Sequence, residues 1–304
     1  MNAKIEQLIN NIETVILGKR DVIEKIVCAM IAGGHVLIED VPGVGKTLLA
    51  ETLAKSVSGS FGRIQFTPDL MPSDVIGYTV IDQRTGESSY RAGAAMCNFL
   101  LADEINRTSP KVQSSLLEAM EELQISVDGV THKLPVPFMA LATQNPIETY
   151  GTYHLPEAQL DRFLMRISIG YPDRRAELQM LEKMPQKMPV QPVMTLDDVM
   201  ALRETASNVQ VSEQVKTYIL MIVGATRARQ EVKLGASPRA SIALYKAAQA
   251  MAVINDRAFA TPDDVKAMAT AVLSHRVLLA AGQTAFMSSE EIIQSILAET
   301  VIPV

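Results

Sequence analysis

Short apolar runs alternate with helical patterns over the first 170 residues of the chain. In the segments between these runs, apolar residues recur at helical spacing, as Leu49, Leu53 and Val57 do. Strands that alternate with helices predict a mostly parallel central sheet with helices on both faces, an α/β fold. The runs that are typical of buried strands lie at 35–39, 63–67, 98–103, 137–143 and 165–169.

Two further segments have the pattern of β-hairpins inserted into this frame. Residues 79–81 and 89–90 flank a turn at 84–86. Ile125 and Val127 alternate with polar residues just before an Asp-Gly dipeptide, which suits a tight hairpin turn. We therefore predict two hairpins in addition to the central sheet.

The pattern becomes helical after a proline-punctuated connection that begins near residue 171. Three segments there combine a hydroxyl residue with an acidic residue three positions later, the signature of a capped helix start. They begin at Thr195, Thr261 and Ser288. We therefore predict an αβα unit over 1–170 and a smaller all-helical lid over 171–304.

The loop Asp40-Val41-Pro42-Gly43-Val44-Gly45-Lys46-Thr47 lies between the first predicted strand and a helix. In this order the loop N–H groups and the helix N-terminus form a cradle for nucleotide phosphates. Lys46 is expected to contact the β- and γ-phosphates, and the Thr47 hydroxyl to bind Mg²⁺. Asp40 stands where this pattern usually has a glycine. The alternative is a glycine-rich turn that binds nothing, and the Gly-Lys-Thr context argues against it.

Polar residues end two other predicted strands and complete the expected nucleotide site. The run 98–102 ends in Asp103 and Glu104, which we assign to Mg²⁺ and to the attacking water respectively. The run 138–143 precedes Asn145, a candidate for orienting that water. Acidic residues also end strands at protein surfaces, and asparagine often starts a turn before proline, so both signals depend on the phosphate loop.

Two arginines are candidates for contacts with the transferred phosphoryl group. Arg162 precedes the last predicted strand and could be supplied to a neighbouring subunit, although a local acid such as Asp161 could pair with it instead. Arg239 lies in the first turn of a helix that Ser237 caps and in which Pro238 takes the first position. The helix dipole opposes a cation there, which favours an anionic partner.

Composition narrows the class of protein. The chain has 304 residues, of which 48% are hydrophobic and 20% charged, as in folded globular proteins. No apolar run is long enough to span a membrane and no signal peptide is visible, so we expect no membrane insertion. Cys28 and Cys97 are predicted to be buried free thiols, which indicates a reducing compartment. We therefore expect a cytoplasmic protein. The net charge of −6 argues against broad nucleic-acid binding, and four scattered histidines argue against a zinc site.

Five motifs in register resemble those of the MoxR family of AAA+ ATPases. They are DVPGVGKT at 40–47, FLLADEINR at 99–107, ATQNP at 142–146, LPEAQLDRF at 155–163 and GASPRA at 235–240. The resemblance covers nearly the whole chain. It implies a P-loop αβα sandwich with a helix-2 insert at about 68–97, a pre-sensor-1 hairpin at about 124–136, and a helical lid.

The resemblance also implies roles for individual residues. ATP or ADP would be held by Pro42, Gly43, Val44, Gly45, Lys46, Thr47 and Leu48, with Gly18 in the loop that lines the adenine pocket and Mg²⁺ on Thr47 and Asp103. Glu104, Asn145, Arg162 and Arg239 would be the catalytic glutamate, sensor 1, the arginine finger and sensor 2. Gln65 could restrain Glu104 until a partner binds.

The family implies a homo-oligomeric ring, a hexamer, in which ATP binds between the αβα unit and the lid. It also implies a chaperone-like remodeller that activates or matures protein complexes, with von Willebrand factor A domain proteins or metal-cofactor insertion as recurrent themes. A metal-chelatase ring subunit is a close variant. The alternatives are a nucleic-acid motor, which the mixed charges of the hairpin tips disfavour, and a nucleotide-gated assembly module with little turnover.

Overall fold

The fold is described from a computed structural model that defines residues 1–146, 151–183, 189–280, 282 and 287–303. The predicted proline-punctuated connection lies partly outside these residues. In the first half the elements are α1 (Ala3–Glu13), α2 (Arg20–Ala32), β1 (Val36–Glu39), α3 (Lys46–Ser56), β2 (Phe61–Gln65), α4 (Pro72–Ile76), β3 (Tyr78–Ile81), β4 (Ser88–Arg91), β5 (Phe99–Asp103), α5 (Pro110–Glu122), β6 (Gln124–Val127), β7 (Val130–Lys133), β8 (Met139–Gln144), α6 (Glu157–Leu160), β9 (Met165–Ile167) and α7 (Arg174–Lys183). The second half contains α8 (Leu196–Ser207), α9 (Glu213–Ala228), β10 (Val232–Leu234), α10 (Pro238–Ile254), α11 (Pro262–Leu273), β11 (Leu278–Leu279) and α12 (Ser289–Glu299).

The five predicted strands form one parallel sheet in the order β2-β5-β8-β1-β9. Strand β5 is buried at every position and β8 at all but its last, as expected when both faces of a parallel sheet are covered. The α/β fold predicted from the sequence is confirmed. Because all strands run the same way, the sheet has a carboxyl edge, where the strands end, and an amino edge, where they begin.

Both predicted hairpins are present. Strands β3 and β4 pair antiparallel, as do β6 and β7. The second hairpin turns at Asp128 and Gly129, which have φ of +50° and +80°. Positive φ at both central residues is what a tight two-residue hairpin turn requires, and the Asp-Gly dipeptide supplies it at low steric cost.

The helical second half packs on the N-terminal helices, and one hydrophobic core runs through both. Helix α10 contacts α2, α8 and α11 along its length. All three predicted capping boxes form, at Thr195, Thr261 and Ser288. A short antiparallel pair of β10 and β11 is added to the predicted helices. Within the described residues, no helix has the length and apolar character that a membrane crossing requires.

Candidate functional site

The glycine-rich loop has the conformation of an anion cradle. Helix α3 begins at Lys46, directly after Gly45, and Gly43 and Gly45 have φ of +87° and +90°. A Cβ atom at either glycine would have no heavy atom within 4 Å, so the space above the loop is open. The Nζ atom of Lys46 donates to the main-chain carbonyls of Asp40 at 2.8 Å and Val41 at 3.2 Å. These neutral acceptors leave the ammonium charge available to phosphate.

Asp40 has a structural role that explains why it stands at the usual glycine position. Its carboxylate is buried and accepts hydrogen bonds from the N–H groups of Ile169 at 2.6 Å and Gly170 at 2.7 Å. It also accepts from the N–H of Val41 and the hydroxyl of Ser168. The start of the phosphate loop is therefore fixed to the segment that follows β9.

A cavity of about 210 Å³ adjoins the glycine-rich loop. Its walls come from 15–19, 43–48 and 169–172, with Met180 of α7. Gly18 has φ of +68° between the lining residues Leu17 and Lys19, and its Cβ position lies 3.2 Å from Ala176 Cβ. The segment predicted to line the adenine pocket therefore borders this cavity, and its role there stays a prediction. Among its described lining residues, the predicted lid contributes its first helix, α7, and none of α8–α12.

Asp103 and Thr143 lie side by side at the carboxyl edge. The Thr143 hydroxyl donates to Oδ1 of Asp103 at 2.7 Å and accepts from the N–H of Glu104 at 2.8 Å. Both side chains are buried. Since β5 and β1 are separated only by β8, Asp103 lies about 10 Å from the end of β1, within reach of an ion held at the phosphate loop.

Glu104 is held by neighbours on both sides. Its φ of +57° lies in the left-handed region, which turns the side chain away from the strand direction. Oε2 accepts from Nε2 of Gln65 at 2.8 Å and lies 3.3 Å from Nη1 of Arg107. This hydrogen bond holds the carboxylate against the Gln65 amide, so the Gln65 contact can restrain Glu104.

Arg63 also reaches this acidic pair from β2. Its Nη2 atom lies 2.9 Å from Oδ2 of Asp103 and 3.3 Å from Oε1 of Gln65. A guanidinium on the carboxylate assigned to Mg²⁺ would compete with the metal for the same oxygen.

Asn145 lies one residue beyond the end of β8, which pairs with β1 at Glu39 and Gln144. It is therefore at the same edge as the phosphate loop.

The two candidate arginines share one carboxylate on the other side of the molecule. Nε of Arg162 lies 3.2 Å from Oε2 of Glu121, and Nη2 of Arg239 lies 2.9 Å from Oε1 of the same residue. The local alternative for Arg162, pairing with Asp161, is wrong. Asp161 pairs instead with Arg276 and accepts from the Ser237 hydroxyl at 2.8 Å, so Ser237 does not cap α10 through its side chain.

Glu121, Arg162 and Arg239 lie at the amino edge of the sheet. Residue Met120, next to Glu121, accepts from His35 just before β1, and the Leu164 N–H donates to the His35 carbonyl. The phosphate loop is at the carboxyl edge, about 13 Å away along a four-residue strand. Arg239 therefore lies about one strand length from the chain's own phosphate loop, because α10 starts at the opposite edge.

The residues present suit a nucleotide with Mg²⁺. Within the described residues there is no group of three or more His, Cys, Asp or Glu that could hold a metal alone. Mg²⁺ keeps several waters and takes one or two protein oxygens together with substrate phosphates. The Thr47 hydroxyl in the first turn of α3 and the buried carboxylate of Asp103 supply such oxygens.

Sequence reasoning missed Thr143, Arg63 and Glu121. Only Thr143 carried a signal, as a polar residue inside a buried run.

Two family profiles and several known proteins match most of this chain. The profile of the ATPase family associated with various cellular activities (AAA) matches residues 35–165, and that of the AAA lid domain matches 224–296. The uncharacterized protein YeaC of Bacillus subtilis is 47% identical over 97% of this chain and 94% of its own length. Chaperone MoxR1 of Mycobacterium tuberculosis is 41% identical over 98% of this chain and 81% of its own. The crystal structure of a candidate ATPase from Cytophaga hutchinsonii superposes with a TM-score of 0.91 at 40% identity, covering 99% and 95% of the two chains.

Proposed function

The chain belongs to the MoxR family of AAA+ ATPases, and from that membership and its site we propose that it hydrolyses Mg·ATP in a ring and uses the energy to remodel partner proteins. The proposal rests on one observation. Asp103, Thr143 and Glu104 lie at the same edge of the sheet as the phosphate loop. ATPase activity follows from membership of the family. The ring, the metal and the clients are our proposal.

The roles of the residues follow from their positions. The N–H groups of the loop and the Lys46 ammonium bind the phosphates, and the Asp40 carboxylate holds the loop in place. Thr47 and Asp103 would hold Mg²⁺, which would supply charge neutralisation to the nucleotide phosphates when bound. Glu104 orients and deprotonates the attacking water, provided that Gln65 releases it. Asn145 contributes to placing that water.

The amino-edge position of Arg162 and Arg239 supports a ring. About one strand length separates them from the chain's own phosphate loop, so each can reach a γ-phosphate only on a neighbouring subunit. Their pairing with Glu121 is half-exposed, and such surface pairs are weak enough to be exchanged for a phosphate. The resemblance implies six subunits, in which each site is completed by the next subunit.

A chaperone-like role is supported by the relative named Chaperone MoxR1. Head-to-tail sites couple hydrolysis to relative movement of subunits, because the contacts of Arg162 and Arg239 with a γ-phosphate are lost when it leaves. The two hairpins, β3–β4 and β6–β7, are the structures that such movement would carry against a client. We propose a cytoplasmic protein whose clients are protein complexes, with von Willebrand factor A domain proteins as candidates.

The test is ATP hydrolysis with Mg²⁺ as a function of protein concentration, for the wild type and for Glu104→Gln. Specific activity that rises with concentration in the wild type and is lost in Glu104→Gln, which still binds ATP, is the expected result. Sedimentation velocity in the same buffer reports the assembly directly. Activity that does not change across a hundredfold dilution while sedimentation shows only monomer would contradict the ring, and an inactive wild type that binds ATP would instead favour a nucleotide-gated module.

A further inference from the structure

A groove of about 630 Å³ opens beside Arg239 and plays no part in the nucleotide site described above. It lies between the C-terminal ends of α2 and α8, the start of α9, and α10. Apolar side chains form most of its walls, among them Ile31, Ile219, Leu220 and Ile242. Leu220 and Ile242 are 62% and 58% exposed, which is a high exposure for large apolar residues and indicates a surface that a partner covers.

The charges of the groove are of one sign. Arg203, Lys216 and Lys246 line it, and its described lining includes no Asp or Glu. Lys216 is paired with Glu213 at the rim, at 2.7 Å. Nε of Arg203 donates to the Met30 carbonyl at 2.9 Å, whereas its Nη2 atom is buried and has no hydrogen-bond partner among the described residues. Burial lowers the pKa of Arg203 to about 10. The groove therefore suits an apolar partner that brings carboxylates.

The groove faces the same way as the arginines proposed to reach the next subunit. Arg239, Ile242 and Lys246 lie three and four positions apart on α10, so they form one stripe on the helix surface. The stripe is about 10 Å long, at 1.5 Å per residue. Gly33, which also lines the groove, ends α2 just before the amino edge of β1. A neighbour that receives Arg239 at its nucleotide must lie over this groove.

Helix α7 carries the complementary surface, and it lies beside the nucleotide pocket. Its inner face holds buried Ala176 against Gly18, and Met180 lines the 210 Å³ cavity. Its outer face exposes Leu178 and Leu181, at 52% and 77%. Glu177 and Glu182 flank these two leucines on the helix and are exposed. The outer face is thus an apolar pair with an acid on each side, and the exposed Arg174 and Arg175 lie one turn nearer the N-terminus.

We propose that the groove is the docking site for the outer face of α7 of the adjacent copy. The inference rests on the proposed ring, because the ring brings the arginine side of one subunit to the nucleotide side of the next. Leu181 would cover Ile242 and Leu178 would cover Leu220, and Glu182 and Glu177 would pair with Lys246 and Arg203. Nucleotide binding would then be coupled to assembly, since Met180 and Pro172 on the inner side contact the nucleotide pocket.

Cysteine cross-linking tests the contact directly. The two native cysteines are buried and free, and burial raises the pKa of Cys97 to about 11, so neither competes for a mild oxidant. Leu181→Cys and Ile242→Cys are prepared separately, mixed with ATP and oxidised. The expected product is a covalent dimer that contains one chain of each kind. Phe259→Cys, at 56% exposed and outside the groove, replaces Ile242→Cys as the matched control and should give no such dimer.

A charge exchange tests the electrostatic part. Lys246→Glu is expected to raise the protein concentration for half-maximal assembly about tenfold, and Glu182→Lys to do the same. The double variant should recover to within about threefold of the wild type, because the pair is re-formed with reversed signs. A double variant that assembles no better than either single variant would overturn the pairing.

The outcomes separate this proposal from the ring itself. If the wild type assembles with ATP and the Leu181–Ile242 dimer forms, both proposals are supported. If it assembles but the dimer is absent, or no more abundant than with Phe259→Cys, the groove has another occupant and this assignment is overturned while the ring stands. A wild type that remains monomeric with every nucleotide overturns both.

Discussion

Oδ2 of Asp40 accepts a hydrogen bond of 2.7 Å from the main-chain N–H of Gly170. The same oxygen accepts from Ile169, so one buried carboxylate fixes the start of the phosphate loop to the segment after β9. Asp40→Ala leaves both N–H groups without this acceptor, at a cost of about 1–3 kcal/mol each. We expect the free energy of unfolding, measured by urea titration, to fall by about 2–6 kcal/mol.

Asp40→Asn is the matched control, because an amide oxygen can still accept from one or both N–H groups. It should retain more than half of the stability that Asp40→Ala loses, and its ATP affinity should stay within about tenfold of the wild type. If Asp40→Ala were as stable as the wild type while ATP affinity fell a hundredfold, the carboxylate would act on the nucleotide rather than on the loop.

The hydrogen bond from Gln65 to Glu104 predicts a restrained basal rate. Gln65→Ala removes a donor to the proposed base and frees it to orient water. A hydrogen bond to a charged group contributes about 1.5–3 kcal/mol, part of which water replaces. We expect basal ATP hydrolysis per subunit to rise about three- to tenfold, with ATP affinity unchanged. Gln65→Asn, which is one methylene too short to hold the same contact, should rise similarly, whereas a fall in both variants would give Gln65 a positive role in catalysis.

The sequence was sufficient for the features whose causes are local. The loop from Gly43 to Thr47 could be recognised because its glycines, its lysine and its helix start occur in one stretch, and the three capping boxes likewise need only four residues. The strands were found within about two residues, since buried parallel strands are continuous apolar runs. The roles of the phosphate-loop residues remain predictions that the experiments above address.

Features that depend on distant pairing could not be predicted. Asp40 looked like a departure from the loop pattern because its partners lie about 130 residues further along the chain. Glu121 is one of several acids on an exposed helix end, and only the packing of α5 and α10 brings it to Arg162 and Arg239. Arg239 was predicted to meet a phosphate from its place in the first turn of α10, and a helix start carries no information about the edge of the sheet at which that helix begins.

Stability should fall at acidic pH through His35. Its ring is buried at the amino edge of the sheet, where Nε2 donates to the Met120 carbonyl and Nδ1 accepts from the Ala140 N–H, and desolvation lowers its pKa to about 4. Below the unfolded-state pKa of about 6.5, the His35 imidazole is protonated in the unfolded chain and stays neutral in the folded chain. Stability contributed by the neutral ring is therefore complete above pH 6.5 and is lost as pH falls towards 4, by about 3 kcal/mol in total.

Urea unfolding at several pH values between 4 and 7 measures this slope. His35→Gln keeps a donor and an acceptor but cannot titrate, so its slope near pH 5 should be shallower than that of the wild type by about one proton. His275, whose pKa burial also lowers, remains in both proteins and contributes equally to each. Equal slopes for the two proteins would show that His35 is protonated in the folded state or is not buried in solution.

Mixed rings test where the two arginines act. Arg162→Ala is expected to bind ATP nearly as the wild type does and to lose hydrolysis, and Lys46→Ala to lose nucleotide binding. In an equal mixture, about a quarter of the interfaces combine an intact Lys46 with an intact Arg162 from the neighbour, so some activity should return. A mixture that forms rings and yet stays inactive would contradict a role for Arg162 in the adjacent site.

The mixture of Arg162→Ala with Arg239→Ala distinguishes the two possible positions of Arg239. Both arginines lie on Glu121, so a neighbour that supplies one supplies the other, and every subunit in this mixture lacks one of them. We therefore expect no recovery of hydrolysis. If Arg239 instead acted on the nucleotide of its own chain, an Arg162→Ala subunit would keep its own Arg239 and receive Arg162 from an Arg239→Ala neighbour, and about a quarter of the interfaces would recover. Recovery in this mixture would mean that α10 moves from the amino edge to the carboxyl edge when the ring assembles.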